Sequence, residues 1–184
     1  MKAALLVVDM SVEQVASIPA ARTQTIVATI QQLTASPSQH WALKLDSRLW
    51  LVDNQESTLS RVYPEWGVSM GVPGSEGADL IPELRNCGLQ FIEKKHYSSF
   101  VDSPLLDMLR KHEITDLFIT GINTDYCIFN TAMDSFARGK FRTHVVEEGV
   151  WSVSGTAGHR QGLSWTRAHL GADAVVSLEE LKRG

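Results

Sequence analysis

Sulfur is scarce in this chain. Its two cysteines, Cys87 and Cys127, stand forty positions apart in 184 residues. That is too few and too far apart for a disulfide framework or a zinc ribbon, and a reducing cytoplasm is the expected compartment. Basic charge is short as well. Lys and Arg number 17 against 21 Asp and Glu, a formal net charge of −4, so the chain lacks the positive field that nucleic acid or an anionic membrane recruits. The expected partners are a small-molecule substrate and further copies of the chain as a dimer or tetramer, with neither nucleic acid nor membrane. Long hydrophobic runs are missing too: none approaches the ~20 residues of a bilayer-spanning helix. The run Ala3 to Val8 is ended by Asp9 and reads as a buried strand rather than a signal-peptide core. Repeats and low-complexity tracts are absent. What remains, 43% hydrophobic and 21% charged residues, is the composition of one globular domain with a sizeable core.

Apolar stretches of strand length alternate with helical patterns, the signature of a parallel sheet covered on both faces. The candidate strands are Ala3 to Val8, Trp41 to Leu45, Leu89 to Ile92, Leu117 to Thr120, Thr143 to Val146 and Ala174 to Val176. The expected fold is α/β: a single-domain, three-layer αβα arrangement over a six-stranded, mostly parallel, Rossmann-like sheet. Ile26, Val27, Ile30 and Leu33 share one helical face, as do Leu105, Leu106 and Leu109. A helix after Cys127 should bury Ile128, Phe129, Ala132, Met133 and Phe136, leave Asp134 and Arg138 to solvent, and stop at Gly139, with Thr124 or Asp125 capping its start. Asp46 to Asp79 shows no period and reads as a long loop of functional or interface type.

Cys127 is the most informative residue. An apolar strand stops at Gly121, a short polar turn follows, and the thiol falls in the first turn of the next helix. Unpaired N–H groups and the helix dipole favour thiolate there, and the same N–H groups can stabilise an oxyanion. Ligands of open parallel sheets sit outside the carboxyl ends of the strands, where Asp9, Lys94 and Cys127 all fall. Taken singly, each has a plainer reading: a strand-ending acid, half of a solvated Lys94-Lys95 pair, a small buried hydrophobe. Cys87, with no motif around it, keeps the last of these.

Four motifs in order resemble the isochorismatase-like cysteine hydrolases, the group containing nicotinamidases, carbamoyl-sarcosine amidohydrolases and isochorismatases. They are Leu5-Leu6-Val7-Val8-Asp9-Met10, Val72-Pro73-Gly74 before Ile81-Pro82-Glu83-Leu84, Lys94-Lys95-His96-Tyr97-Ser98-Ser99-Phe100, and Thr120-Gly121-Ile122-Asn123-Thr124-Asp125-Tyr126-Cys127. The resemblance covers nearly the whole chain and implies an isochorismatase-like hydrolase domain over residues 1–184. It also implies Asp9 as general base and acid, Lys94 as the cation between acid and thiol, and Cys127 as nucleophile. A cis peptide between Ile122 and Asn123 is implied as well, with the Asn123 and Cys127 N–H groups forming the oxyanion hole.

The departures from the family pattern matter equally. Where nicotinamidases carry Asp-x-His and a further His as metal ligands, this chain reads Asp46-Ser47-Arg48 and Tyr63-Pro64-Glu65-Trp66-Gly67. A carboxylate alone is too little for a zinc-type centre, so no metal and no cofactor are expected. Beyond Asp9, where relatives often show Gln, Asp and Phe, the chain has Ser11, Glu13 and Gln14; Gln14 would make the pocket wall more polar and suit a small polar substrate. Arg48 is a candidate partner for a substrate carboxylate, or else a surface arginine, and Trp66, Tyr97, Tyr126 and Phe129 are candidate wall residues. The function expected is hydrolysis of a small amide or carbamoyl compound at its C–N bond through a thioester. A vinyl-ether hydrolase of isochorismatase type and a non-catalytic binding or assembly relative stand as alternatives.

Overall fold

Unbroken apolar runs can only be strands buried on both faces, and in the computed structural model, which describes residues 2–36, 40–52, 59–62, 70–139 and 141–183, they are. Strands β1 (Ala3–Val8), β2 (Trp41–Leu49), β3 (Gln90–Lys94), β4 (Asp116–Ile122), β5 (Arg142–Trp151) and β6 (Val175–Val176) form one sheet of order β3-β2-β1-β4-β5-β6. Every pairing is parallel. The helices are α1 (Val12–Val15), α2 (Ala20–Ala35), α3 (Leu59–Val62), α4 (Leu105–Lys111), α5 (Phe129–Asp134), α6 (Gly155–Leu170) and α7 (Leu178–Arg183). Side chains of β1 alternate between two cores. Ala4, Leu6 and Val8 pack with Leu105 and Leu109 of α4, Ile128, Ala132 of α5 and Leu163 of α6. Ala3, Leu5 and Val7 face Ile26, Val27, Ile30 and Leu33 of α2.

The six expected strands all form, but several run further than their apolar letters suggest. β2 continues through Asp46, Ser47 and Arg48 to Leu49, so the long loop expected from Asp46 begins later. These polar residues sit inside the sheet because each finds a partner there: the Ser47 hydroxyl donates to Ser99 Oγ at 2.9 Å, and Arg48 Nε donates to Asp46 Oδ2 at 2.7 Å. β3 reaches Lys94, two residues past Ile92 and therefore on the same face. Of the remaining loop, residues 53–58 and 63–69, Trp66 among them, lie outside the described residues.

The helix after Cys127 departs from expectation in two ways. It starts and ends as π turns, Thr124–Ile128 and Ser135–Gly139, with α5 between them. Each wide turn shifts the faces that follow. Ser135 is buried, its hydroxyl 2.7 Å from that of Thr143, while Phe136, expected in the core, is 56% exposed. Nor do Thr124 and Asp125 cap the start. Asn123 occupies that position without a side-chain cap, the Thr124 hydroxyl lies 3.1 Å from His159 Nδ1, and Asp125 accepts from the Ser152 hydroxyl.

Gly121 pairs with Val8 in register and has φ +109°, and a Cβ there would collide with the Val8 carbonyl. Gly121→Ala is expected to cost about 3 kcal/mol or more of stability, measured by urea unfolding, with the loss shared by β1 and β4. A cost below ~1 kcal/mol would show that the two strands are not held in this close approach.

Candidate active site

The strand order reverses direction between β1 and β4, and in such sheets the crevice at that point is where ligands bind. Asp9 follows β1 directly, with φ 56°, a left-handed conformation that Asp adopts more readily than most residues. Its N–H is fixed by the Ser47 carbonyl at 2.8 Å. Lys94 ends β3, two strands away from β1, and only a side chain as long as lysine brings its ammonium to Asp9, Nζ to Oδ2 at 2.7 Å. The same Nζ lies 3.5 Å from Cys127 Sγ. Asp9 and Lys94 are fully buried and Cys127 is 6% exposed. Three residues separated by 85 and 33 positions thus share one buried cluster.

The turn that carries Cys127 is gripped on several sides. The Ile122–Asn123 peptide bond is cis. The Asn123 carbonyl accepts from Tyr126 N–H at 3.0 Å and Ile128 N–H at 3.1 Å, and its side-chain Oδ1 accepts from Val153 N–H at 2.8 Å. Helix α6 presses against the turn at Gly162, where a Cβ would come within 2.5 Å of the Thr124 carbonyl oxygen.

Electrostatically the cluster differs from the expected picture of a helix-start thiolate. Burial pushes the Cys127 thiol up to about 12, the Asp9 charge pushes the same way, and Lys94 only partly opposes them. Burial disfavours the Lys94 ammonium, but Asp9 and the Cys127 sulfur outweigh it and the lysine's pKa is raised. Both shifts favour an ammonium on Lys94 and a protonated thiol on Cys127. Among the described residues no hydrogen bond to Asp9 Oδ1 is formed by a conventional donor, and the Cys127 thiol lies close enough for the Asp9 side chain to act on it. Chemically, such a group can take a proton from sulfur without changing the total charge of the cluster.

Cys127 opens onto a cavity of about 370 Å³. Of the residues anticipated from sequence, Asn123, Gln14, Tyr97 and Tyr126 also line it, whereas Asp9 and Lys94 are fully buried and do not. Two others are elsewhere. Phe129 packs against Trp165 and His169, with ring centroids at 5.5 and 5.9 Å. Arg48 is buried, bound to Asp46 and to the Ala78 carbonyl and stacked 4.6 Å over Phe91, so it is not available to a substrate carboxylate. Sequence reasoning passed over Glu13, Ser17, Leu49, Leu59, Met70 and Val153 as lining residues. Glu13 stood beside Gln14 and could have been found; the apolar ones come from aperiodic segments that carry no signal.

Among the described residues, the donor set does not fit the metal site that the resemblance to nicotinamidases implies. Asp46 Oδ2 is occupied by the Arg48 guanidinium, a permanent cation that cannot ligate a metal. Among the described residues no three His, Cys, Asp or Glu side chains come together as a metal cluster. Residues 63–67, the position of the second histidine in relatives, lie outside the described residues and contain no histidine.

A doubly wound sheet with a buried acid, ammonium and thiol at its switch point defines a class, and comparison with known proteins narrows it. The family model described as Isochorismatase domain matches residues 3–179. An uncharacterised isochorismatase family protein, PncA of Bacillus subtilis, is 27% identical over 129 residues, 66% of this chain and 65% of its own. The nicotinamidase of Escherichia coli is 33% identical over 96 residues, 45% of each chain. Among solved structures, a cysteine hydrolase from Pseudomonas syringae superposes with TM-score 0.83 at 20% identity, covering 99% of this chain and 91% of that one. The chain belongs to the isochorismatase family. It spans less than two thirds of the length of these two sequence relatives.

Burial raises the Asp46 carboxyl from 3.8 to about 6, with Arg48 opposing and Asp9 adding to the rise. Since the folded state holds this proton more tightly than the unfolded chain, the group by itself makes stability fall as pH rises from about 4 to about 6, and adds no slope above that. Urea unfolding across pH 4–7 is expected to show this component in the native protein and to lose it in Asp46→Asn. Identical slopes in the two proteins would contradict the assignment.

Proposed function

We propose that the protein is a hydrolase that uses Cys127 to cleave the C–N bond of a small amide or carbamoyl compound, without a metal. The observation that supports this most is the shared contact of Asp9, Lys94 and Cys127 with the sulfur at the cavity surface. The kinship with a protein named nicotinamidase, an amide hydrolase, points the same way.

In this reading Asp9 takes the thiol proton as Sγ attacks the carbonyl carbon. The cluster then contains a neutral acid, an ammonium and a new carbon–sulfur bond, and the negative charge has moved to the carbonyl oxygen. The N–H groups of Asn123 and Cys127 receive that oxyanion, an interaction worth roughly 10²–10³ in turnover per donor in comparable sites. Collapse of the intermediate breaks the C–N bond, and Asp9 returns its proton to the departing nitrogen. Asp9 next removes a proton from water, which attacks the thioester; sulfur leaves and is reprotonated. Lys94 holds its ion pair with Asp9 at the start of each half-reaction and screens charge on sulfur. The Asp46–Arg48 pair supports metal independence, because a guanidinium bonded to Asp46 Oδ2 already supplies the positive charge beside that carboxylate. Vinyl-ether hydrolysis requires an acid but no thiol, and here it is the thiol that lines the cavity while the acid does not.

Ammonia release from a panel of amides and carbamoyl compounds is expected to fall on the order of 10³-fold or more in Cys127→Ala; turnover at the native rate would end the covalent scheme. Asp9→Asn should also lose hydrolysis, while Cys127 becomes easier to ionise, since a charge that raises its pKa is gone and Lys94 remains. Iodoacetamide labelling against pH reads this, with a lower midpoint expected in Asp9→Asn than in the native protein.

A further inference from the structure

The cavity above Cys127 contains one feature that the hydrolytic scheme does not use. Glu13 lines the wall formed by α1, and among the described residues it is the only charged side chain that does so. Its Oε1 accepts from the Gly71 N–H at 2.5 Å, and its backbone N–H donates to the Gly77 carbonyl at 3.0 Å, so the carboxylate is tied to the 71–77 loop rather than free to swing into solvent. Among the described residues no lysine, arginine or histidine pairs with it. Partial burial raises its pKa and the Gly71 hydrogen bond opposes the rise, the condition of an anion that meets no countercharge among the described residues. Across the same cavity Tyr97 and Tyr126 lie with ring centroids 5.8 Å apart at 30°. Aromatic faces attract cations and are indifferent or unfavourable to carboxylates. Arg48, which could have neutralised an acidic substrate, is turned inward to Asp46.

We propose that this cavity selects a substrate bearing an ammonium or other cationic group at the end remote from the scissile amide, with Glu13 as its countercharge and Tyr97 and Tyr126 as its aromatic wall, and that it rejects carboxylate-bearing amides. The proposal deepens the amide-hydrolase reading and rests on it for the identity of the reacting bond, but not for the charge preference. Glu13 is a specificity-determining residue in it and takes no part in proton transfer. A single charge held at a partly buried site discriminates a cation from an anion of equal size by on the order of tenfold or more.

The charge preference is testable apart from catalysis. In a Cys87→Ser background, Cys127 is modified with the cationic reagent 2-aminoethyl methanethiosulfonate and the anionic 2-sulfonatoethyl methanethiosulfonate, and their rates are compared with those on a free thiol. The cationic reagent is expected to be favoured about tenfold or more beyond its intrinsic advantage, and Glu13→Gln, which keeps an acceptor for the Gly71 N–H, should remove most of that excess. Hydrolysis of β-alaninamide, propionamide and succinamate is measured alongside, with kcat/KM falling in that order and the order flattening in Glu13→Gln, chiefly through KM. Circular dichroism of each variant confirms the fold. A charge-selective label with no amide hydrolysed would sink the hydrolase reading and leave the selectivity standing. Hydrolysis that favours succinamate, a rate ratio unchanged in Glu13→Gln, or a Cys127 inert to both reagents would overturn the proposal.

Discussion

The buried ion pair between Lys94 and Asp9 is the constraint around which the molecule is arranged. An ammonium and a carboxylate with no exposed surface each lose several kcal/mol of hydration, and only close contact with the other restores it. Neither residue can be moved or neutralised alone without leaving an uncompensated buried charge. The strand order follows suit. β1 sits at the centre, β3 lies two places away, and a long aliphatic side chain spans the interval.

The same pair determines the state of the sulfur. An isolated thiol at a helix start gains from the dipole, but here a full negative charge on Asp9 and the loss of water both act on it, and they outweigh the nearby lysine. The outcome is a thiol held towards its protonated form beside the Asp9 carboxyl group. In the proposed chemistry that thiol hands its proton to Asp9 as it attacks. Precision in that transfer requires a fixed sulfur. The π turn, the Asn123 contacts to Tyr126, Ile128 and Val153, and the glycine that lets α6 close in supply it.

Next to this cluster, Asp46 and Arg48 form a second buried pair. It solves a local problem, the burial of a carboxylate near Asp9, with a guanidinium built into the chain. The consequence reaches the cavity: a cation that could have drawn acidic ligands is spent on the interior, and among the described residues Glu13 is the one charged side chain that lines the wall.

Much of this was written in the chain. Six apolar segments dictated a parallel sheet, because residues such as Leu5, Leu6, Val7 and Val8 can be satisfied only by burial on both sides, and the spacing of Ile26, Ile30 and Leu33 dictated the helix that covers one of them. The motifs that contain Asp9, Lys94 and Cys127 marked the polar residues of the candidate site in advance. Polar strand residues were harder to read, since Asp46, Ser47 and Arg48 look like loop until their partners are known. Phe136 and Ser135 exchanged places because a π turn leaves no trace in a 3.6-residue pattern. The inward turn of Arg48, the remoteness of Phe129, the raised thiol pKa and the presence of Glu13 at the cavity wall were decided by tertiary structure alone. Direction, desolvation and charge proximity are properties of residues brought together from distant positions, and local sequence carries the identity of such groups but not the distances between them.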